Sequence, residues 1–269
     1  MAEITLAGGS KIVVGNENDT ITVFGDGTVK AGSGDDSISI RGDGRVAVGS
    51  GNDTINIAGD GTVRAGAGND SIGVGGSGRL SLGAGHDTIT LGSGSDTIFT
   101  AGSATVTGSF GSATIAGGKF EFIHSKDVSE EIAKSGQATL VGGADPTRFV
   151  GGTGSVSMVG GTGSDTFVGG SGHDTMVGGS STNLFEFLSG GRGGQHVIEN
   201  FVSGGDKLYV EGHSLAYLQS HGDISTSGGN TYITLDGGRT TIELKGVTGL
   251  KASDFTTGGG GHSGEGHHS

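Results

Sequence analysis

The sequence predicts an all-β protein, a parallel β-roll (β-solenoid), from the spacing of its aliphatic residues and its abundance of glycine. From residue 2 to about residue 116, an aliphatic residue recurs every eight or nine positions. The chain has 62 glycines and one proline among 269 residues. The absence of a Gly-X-Y period excludes collagen, and the regular aliphatic spacing argues against a disordered linker. Short β-strands joined by tight glycine turns account for both observations.

Two kinds of turn alternate between these strands and together make a 17-residue repeat. Nine-residue units (AGSGDDSIS, VGSGNDTIN, AGAGNDSIG, LGAGHDTIT) alternate with eight-residue units (FGDGTVKA, RGDGRVAV, AGDGTVRA, GGSGRLSL). Each repeat predicts one coil, and stacked coils place like residues over like. About seven coils, roughly 34 Å of stack, follow from the inter-strand spacing. The aliphatic positions that mark the strands are Ile4, Ile12, Ile21, Val29, Ile38, Val46, Ile55, Val63, Ile72, Leu80, Ile89, Ile98, Val106 and Ile115.

The pattern divides the chain into five predicted segments. Residues 1–118 form a β-roll of 17-residue repeats, and residues 142–190 form a second roll of nine-residue repeats. Between them, residues 119–141 are predicted to be a helical connector, because SKDVSEEIAKSG offers an N-cap, a Glu three positions later and a final glycine. Residues 191–256 contain four strand-like stretches and a hairpin turn at Asp236–Gly238, which predicts a β-rich cap and secretion region. Residues 257–269 are predicted to be a disordered Gly/His tail.

The nine-residue units predict a metal site at the turns. Glycines bend each turn so that carbonyl oxygens face one side, and an aspartate at position six adds a carboxylate. Ca²⁺ prefers six to eight such oxygens. Without a cation, the stacked aspartates would form a column of like charges about 5 Å apart, which Coulomb repulsion disfavours. The predicted calcium-site residues are Asp19, Gly32, Gly34, Asp36, Gly49, Gly51, Asp53, Gly66, Gly68, Asp70, Gly83, Gly85, Asp87, Gly94, Asp96, Gly161, Gly163, Asp165, Gly170, Gly172 and Asp174.

The alternative interpretation is that these aspartates are ordinary turn residues. It explains a single turn but not an aspartate in the same register in successive coils. For Asp26, Asp43 and Asp60, in the eight-residue units, turn chemistry is at least as good an explanation, so the first roll is predicted to carry metal mainly along one edge.

Composition and motifs argue against several functional classes. The formal net charge of −13 disfavours nucleic acid as a partner. No stretch is long and apolar enough to predict a membrane span, and Met1–Val14 lacks the pattern of an N-terminal signal peptide. The zinc-protease motif His-Glu-x-x-His is absent, and the sequence Gly-His-Ser-Leu-Ala at 212–216 falls one residue short of a nucleophile elbow. The chain is therefore predicted not to be an enzyme.

The nine-residue units at 160–177, and with small-for-Gly changes those at 31–39, 48–56, 65–73 and 82–99, resemble the calcium-binding nonapeptide of RTX (haemolysin-type) proteins. The tract from Ile198 to Phe255 resembles the C-terminal flank of many such exported proteins. The eight-residue units depart from the family's usual repeat. The resemblance implies several bound calcium ions, type I secretion through an uncleaved C-terminal signal, and a chain that stays unfolded in the calcium-poor cytoplasm.

Three non-catalytic functions are compatible with this fold. The first is a structural protein of a biofilm matrix or cell surface, whose uncapped first strand adds another copy head to tail. The second is a calcium-dependent adhesin that binds cell-surface polysaccharide through outward Lys30, Arg45, Arg64 and Arg79. The third, ranked last, is an ice-binding solenoid with Thr-x-Thr pairs at 20–22 and 88–90.

Overall fold

The computed structural model describes residues 3–108, 112–124, 130–188 and 193–257. It is an all-β parallel solenoid, as the sequence predicts. The strands are β1 (Glu3–Ala7), β2 (Ser10–Val13), β3 (Thr20–Phe24), β4 (Gly27–Lys30), β5 (Ser37–Ile40), β6 (Gly44–Ala47), β7 (Thr54–Ile57), β8 (Gly61–Arg64), β9 (Ser71–Val74), β10 (Gly78–Leu82), β11 (His86–Leu91), β12 (Ser95–Gly108), β13 (Ser112–His124), β14 (Glu130–Ala133), β15 (Gln137–Val141), β16 (Arg148–Gly151), β17 (Ser155–Val159), β18 (Thr166–Val168), β19 (His173–Val177), β20 (Leu184–Phe187), β21 (Gly194–Glu199), β22 (Lys207–Val210), β23 (Ile224–Ser227), β24 (Asn230–Leu235) and β25 (Thr240–Leu244).

The strands up to β22 form two walls, joined at two edges by the turns. Wall A contains the odd-numbered strands β1 to β11, residues 103–108 of β12, residues 119–124 of β13, and then the odd-numbered strands β15 to β21. Wall B contains the even-numbered strands β2 to β10, residues 95–100 of β12, residues 112–117 of β13, and then the even-numbered strands β14 to β22. We call the turns that lead into wall A edge A, and those that lead into wall B edge B.

Parallel pairing in constant register builds the stack. Glu3 pairs with Thr20, 17 residues on, and Ile21 pairs with Ile38. Because side chains alternate along a strand, a constant register stacks the same inward position coil upon coil. Ile21, Ile38 and Ile55 are at most 1% exposed and form one such ladder. The predicted pattern of buried aliphatic residues is therefore confirmed for these coils.

The predicted helical connector is wrong where the structure describes it. Residues 130–133 form strand β14, which pairs in parallel with β13 on one side and β16 on the other. The capping pattern reflects only the local preference for a helix. Both neighbouring coils offer strands that can hydrogen-bond to this segment, and these inter-strand bonds outweigh the helix propensity. Residues 125–129 lie outside the described residues. Strand pairing continues through β13, β15 and β17, so both repeat arrays belong to one ladder.

Aromatic residues replace aliphatic ones in the core of the second array. Phe149, Phe167 and Phe185 occupy the same position in successive coils and are fully buried. The ring centroids of Phe149 and Phe167 are 5.2 Å apart, and those of Phe167 and Phe185 are 4.9 Å apart, both stacked. The inter-strand spacing brings the rings to the separation that stacked aromatic pairs prefer.

Beyond β21, wall A ends in an antiparallel cap. β25 pairs with β21 in parallel, and β24 and β23 then continue the sheet antiparallel. The predicted hairpin turn is confirmed, because Asp236, Gly237 and Gly238 have positive φ between β24 and β25. A short helix, α1 (Leu215–His221), precedes β23, and the Ser214 side chain caps it by accepting a hydrogen bond from the Tyr217 N–H. The serine of the Gly-His-Ser-Leu-Ala stretch therefore has a structural partner.

Buried Asp254 holds the end of the described chain against the roll. It is fully buried, and its carboxylate accepts hydrogen bonds from the Lys251 N–H, the Ser203 hydroxyl and the Gly204 N–H. Burial alone raises the pKa of a carboxylate, but these hydrogen bonds outweigh it, and the net pKa of Asp254 is lowered. Of the predicted tail, residues 258–269 lie outside the described residues. Within the described part of the chain, no helix is long and apolar enough to cross a membrane.

Candidate metal centre

Five of the predicted aspartates form one column along edge A. Each lies next to the position where its coil enters wall A, and none is more than 4% exposed: Asp19, Asp36, Asp53, Asp70 and Asp87. The strands that follow pair in the 17-residue register, so the aspartates stack directly over one another. The predicted column is therefore present in the structure.

In the four aspartates from Asp36 onward, one carboxylate oxygen accepts a hydrogen bond within the stack. Asp36 Oδ1 accepts a hydrogen bond from the Asp19 N–H at 3.0 Å, and Asp53 Oδ1 accepts one from the Asp36 N–H at 2.9 Å. Asp70 and Asp87 repeat this contact with the preceding coil at 2.9 and 3.1 Å. These bonds fix the orientation of each carboxylate and turn its second oxygen away from the backbone that it binds.

The second oxygen is buried without a partner. Among the described residues, no group forms a hydrogen bond to the Oδ2 atoms of Asp36, Asp53, Asp70 and Asp87. A buried ionised oxygen with no partner costs several kcal/mol in water-excluded surroundings. A cation against these oxygens removes that cost, so the donor set fits a metal ion that prefers hard oxygen ligands.

The electrostatics of the column have a different main cause from the one predicted. Burial is the largest contribution that raises the pKa of Asp53, to about 6, while repulsion from Asp70 and Asp36 adds less. A hydrogen bond from the Asp36 N–H to the Asp53 carboxylate opposes this rise in pKa. Burial likewise raises the pKa values of Asp36, Asp70 and Asp87. The metal-free column is therefore costly chiefly because the carboxylates are desolvated, and secondarily because they repel one another.

The predicted glycines of edge A allow the turns to stack closely. At the fourth position of the unit, Gly34, Gly51, Gly68 and Gly85 all have positive φ. A Cβ on Gly68, where φ is +146°, would overlap the carbonyl oxygen of Gly51 in the preceding coil. At the second position, the Gly32 and Gly49 N–H groups bind the carbonyl oxygen one coil back at 2.8 Å, and a Cβ on Gly66 or Gly83 would overlap the corresponding oxygen.

Asp96 does not belong to this column. It pairs with wall B, where its Oδ1 accepts a hydrogen bond from the Gly78 N–H at 2.6 Å, so the unit containing Gly94 and Asp96 lies on edge B. Burial raises the pKa of Asp96 to about 6, and its Oδ2 is also buried without a partner among the described residues. Asp26, Asp43 and Asp60 line the same edge but are exposed, and each accepts a backbone N–H from the next coil, as turn aspartates do.

The two aspartates of the second array lie on opposite edges. Asp165, on edge B, accepts hydrogen bonds from the Thr147 and Gly161 N–H groups through its two oxygens. Asp174, on edge A, accepts one from the Gly170 N–H at Oδ2. His196 Nδ1 lies 3.1 Å from the same oxygen, and Asp174 Oδ1 is buried without a partner among the described residues. A Cβ on Gly163 or Gly172 would overlap a carbonyl oxygen of the coil before it.

The family model for the RTX calcium-binding nonapeptide repeat matches the chain in four copies, at residues 57–72, 72–104, 141–176 and 150–185. The matched segments include both edges and both arrays. The chain carries RTX calcium-binding repeats. No curated protein matches the chain significantly.

RTX repeats bind several Ca²⁺ ions. The buried carboxylate oxygens of this chain fit the role of ligands. Within the described residues, no three His, Asp or Glu side chains converge on one point. A Ca²⁺ ion at edge A would therefore take one or two carboxylates together with turn carbonyl oxygens, a mixture that suits calcium. When bound, the ion supplies the positive charge that the desolvated column lacks.

Sequence reasoning missed two polar positions on edge B, Asn183 in the second array and Asp206 beyond it. Asn183 and Asp206 continue the column of Asp165: the Asp165 N–H donates to Asn183 Oδ1, and the Asn183 N–H donates to Asp206 Oδ1. Both side chains are at most 1% exposed. The signal was available, because Asn183 and Asp206 each precede an apolar core residue, Phe185 or Leu208, by two positions, as the RTX aspartates do.

A second ladder at position five of the RTX units was also missed. Asn18, Asp35, Asn52 and Asn69 each accept the backbone N–H of the next coil through Oδ1, at 2.7–2.9 Å. The sequence pattern was given no role at this position. The sequence contained a signal for this ladder, because position five is Asn or Asp in four successive units.

In chelator, mild acid should stabilise the RTX roll. Asp53 and Asp96 have pKa values of about 6 when folded and near 3.8 when unfolded. Between these values the folded state binds more protons, so its stability rises as the pH falls from 7 toward 4. Circular dichroism in EDTA should show more β-structure at pH 5 than at pH 7. Asp53→Asn should reduce this difference, and less β-structure at pH 5 than at pH 7 would contradict the pKa assignment.

Proposed function

We propose that the protein is a secreted structural β-roll that leaves the cell unfolded and folds when extracellular calcium fills its turns. The observation that carries this proposal is the column of buried carboxylate oxygens without partners along edge A. Folding must bury these charges, so the folded state depends on a cation that is scarce in the cytoplasm and abundant outside. RTX repeat proteins are typically extracellular, and their repeats and solenoid fold are typically non-catalytic.

Limited proteolysis tests this proposal directly. At sub-micromolar free calcium, as in a cytoplasm, we expect rapid cleavage throughout residues 3–188, because the repeats are unfolded. At millimolar calcium the same segment should resist cleavage. Magnesium at the same concentration is the control, since its smaller ion demands an octahedral site and releases water reluctantly. Equal protection at both calcium concentrations would refute folding outside the cell.

The first coil supports a role in self-association. Ile4 and Leu6 of β1 pair with buried Ile21 and Val23, so they occupy inward positions. Leu6 is nevertheless 39% exposed, because no described coil covers it on the other side. An open strand edge with an exposed apolar ladder favours the addition of another strand. We propose that a second copy pairs here, giving assemblies suited to a biofilm matrix or a surface layer.

Head-to-tail addition would bring β1 to the far end of wall A, where β23 is the last strand. There the sheet is antiparallel, so an added copy would meet the cap rather than another open coil. Sedimentation in millimolar calcium should show concentration-dependent association of the wild type. Leu6→Lys should abolish it, whereas Phe99→Lys, at a site 51% exposed in the middle of the stack, should not. A wild type that stays monomeric at high concentration would refute self-association.

A further inference from the structure

The outer face of wall B carries a regular column of basic side chains. Strand register places Lys11, Thr28, Arg45, Thr62, Arg79 and Thr97 directly beside one another in successive coils. A basic residue therefore recurs on every second coil, about 9.5 Å apart at the inter-strand spacing. A parallel column holds Lys30 and Arg64, also two coils apart and offset by one coil from the first. The two columns form a staggered array.

These five basic side chains are exposed and available for a ligand. Each of Lys11, Lys30, Arg45, Arg64 and Arg79 is exposed. Among the described residues, none of the five forms an ion pair with an acidic side chain. On a chain with a formal net charge of −13, an unpaired basic array on one wall is a local exception. An anionic partner would gain more favourable electrostatic energy at this surface than elsewhere on the acidic chain.

The array borders two shallow grooves. One, of about 630 Å³, lies between the column of Lys11, Arg45 and Arg79 and the turn aspartates of edge B. The other, of about 620 Å³, lies between this column and Arg64, and the ring of Phe99, 51% exposed, adjoins it. The threonines between the arginines are small and keep the grooves open along the stack. Such grooves suit a linear chain that lies along the solenoid axis.

We propose that this face binds a linear acidic polysaccharide that carries one anionic group on every second sugar. Arg45 and Arg79 would each bind a carboxylate or sulfate through charge-assisted hydrogen bonds. The exposed carboxylates of Asp43 and Asp60 at the groove can accept hydrogen bonds from sugar hydroxyl groups. The Phe99 ring offers an apolar surface to one sugar face.

The same features disfavour nucleic acid. A nucleic acid presents a phosphate at every nucleotide, and the acidic border of the groove would repel that charge density. Among the described residues that line the grooves, Phe99 is the one aromatic residue, and one ring gives no platform on which successive bases could stack. An alternately charged sugar polymer has the lower charge density and the hydroxyl groups that the mixed acidic and basic lining requires.

Calorimetry with the full chain in millimolar calcium tests the inference, with hyaluronan as the probe because it carries a carboxylate on every second sugar. Polygalacturonate, charged on every sugar, dextran, uncharged, and single-stranded DNA are the comparison polymers. We expect hyaluronan to bind most tightly, and binding to weaken as salt is raised. Arg45→Ser with Arg79→Ser should weaken hyaluronan binding about tenfold or more.

Two further variants make the result specific. Thr62→Glu places a negative charge between Arg45 and Arg79 and should weaken hyaluronan binding comparably. Lys119→Ser with Arg239→Ser removes two exposed basic side chains outside wall B's outer face and should change the affinity less than about twofold. Circular dichroism in calcium reports the fold of each variant separately. The inference is overturned if the wild type does not bind hyaluronan, if the variants bind equally well, or if polygalacturonate or DNA binds as tightly.

Discussion

Replacing Asp36, Asp53 and Asp70 together by asparagine should have opposite effects in calcium and in chelator. In calcium, the variant should lose the stabilisation that bound ions provide, about 2.7 kcal/mol for each site when calcium is a hundredfold above its Kd. In chelator, the variant should be more stable than the wild type, because three desolvated charges are gone while the Oδ1 acceptors remain. Urea unfolding in calcium measures the first effect, and the β-structure that circular dichroism detects in chelator measures the second.

The chain already contains a precedent for this substitution. Asn183 lies at the equivalent position in the second array, where its Oδ1 accepts the Asp165 N–H and its Nδ2 donates to the Ser181 carbonyl. An asparagine at such a position can therefore keep the Oδ1 hydrogen bond between coils and place its Nδ2 group in a hydrogen bond, without a metal ion. The matched control is Asp26→Asn with Asp43→Asn and Asp60→Asn, which removes the same charge from exposed positions on edge B and should shift stability far less. A triple variant of Asp36, Asp53 and Asp70 that shows no more β-structure in chelator than the wild type would contradict the role assigned to desolvation.

Phe167→Ala should be among the most destabilising single substitutions in the second array. The ring is fully buried and stacks between Phe149 and Phe185, so its removal leaves a cavity bordered by two rings. Loss of a buried Phe costs about 3–5 kcal/mol. Chemical unfolding in saturating calcium measures the loss. Phe99→Ala is the control, because that ring is 51% exposed, and an equal urea midpoint for the two variants would show that the aromatic stack contributes little.

Much of the fold followed from the period of the sequence. The 17-residue repeat predicted the register that stacks Asp36 on Asp53 and Ile38 on Ile55, because parallel coils of constant length have only one register that buries the same face. The same logic placed the aspartate column along one edge. Asp96 lies on edge B because its nine-residue unit follows another one directly and takes the place of an eight-residue unit. Its role as a calcium-site residue stays a prediction.

Other features needed the three-dimensional surroundings. The segment around Glu130 has the local pattern of a helix start, and only the strands on both sides explain why residues 130–133 extend instead. The spacing of the aspartates predicted their mutual repulsion, but a spacing contains no information on burial. The structure adds that information: one oxygen of each carboxylate from Asp36 to Asp87 is hydrogen-bonded, and the other is buried without a partner among the described residues.

Circular dichroism of the purified chain, recorded in EDTA at pH 7 and again as calcium is titrated back, tests most directly whether cations must neutralise the buried column. We predict little β-structure in EDTA and a cooperative gain of the full β signal on addition of calcium, reversed by more chelator. Full β-structure in metal-free buffer, with no change in signal or thermal midpoint when calcium is restored, would contradict the account.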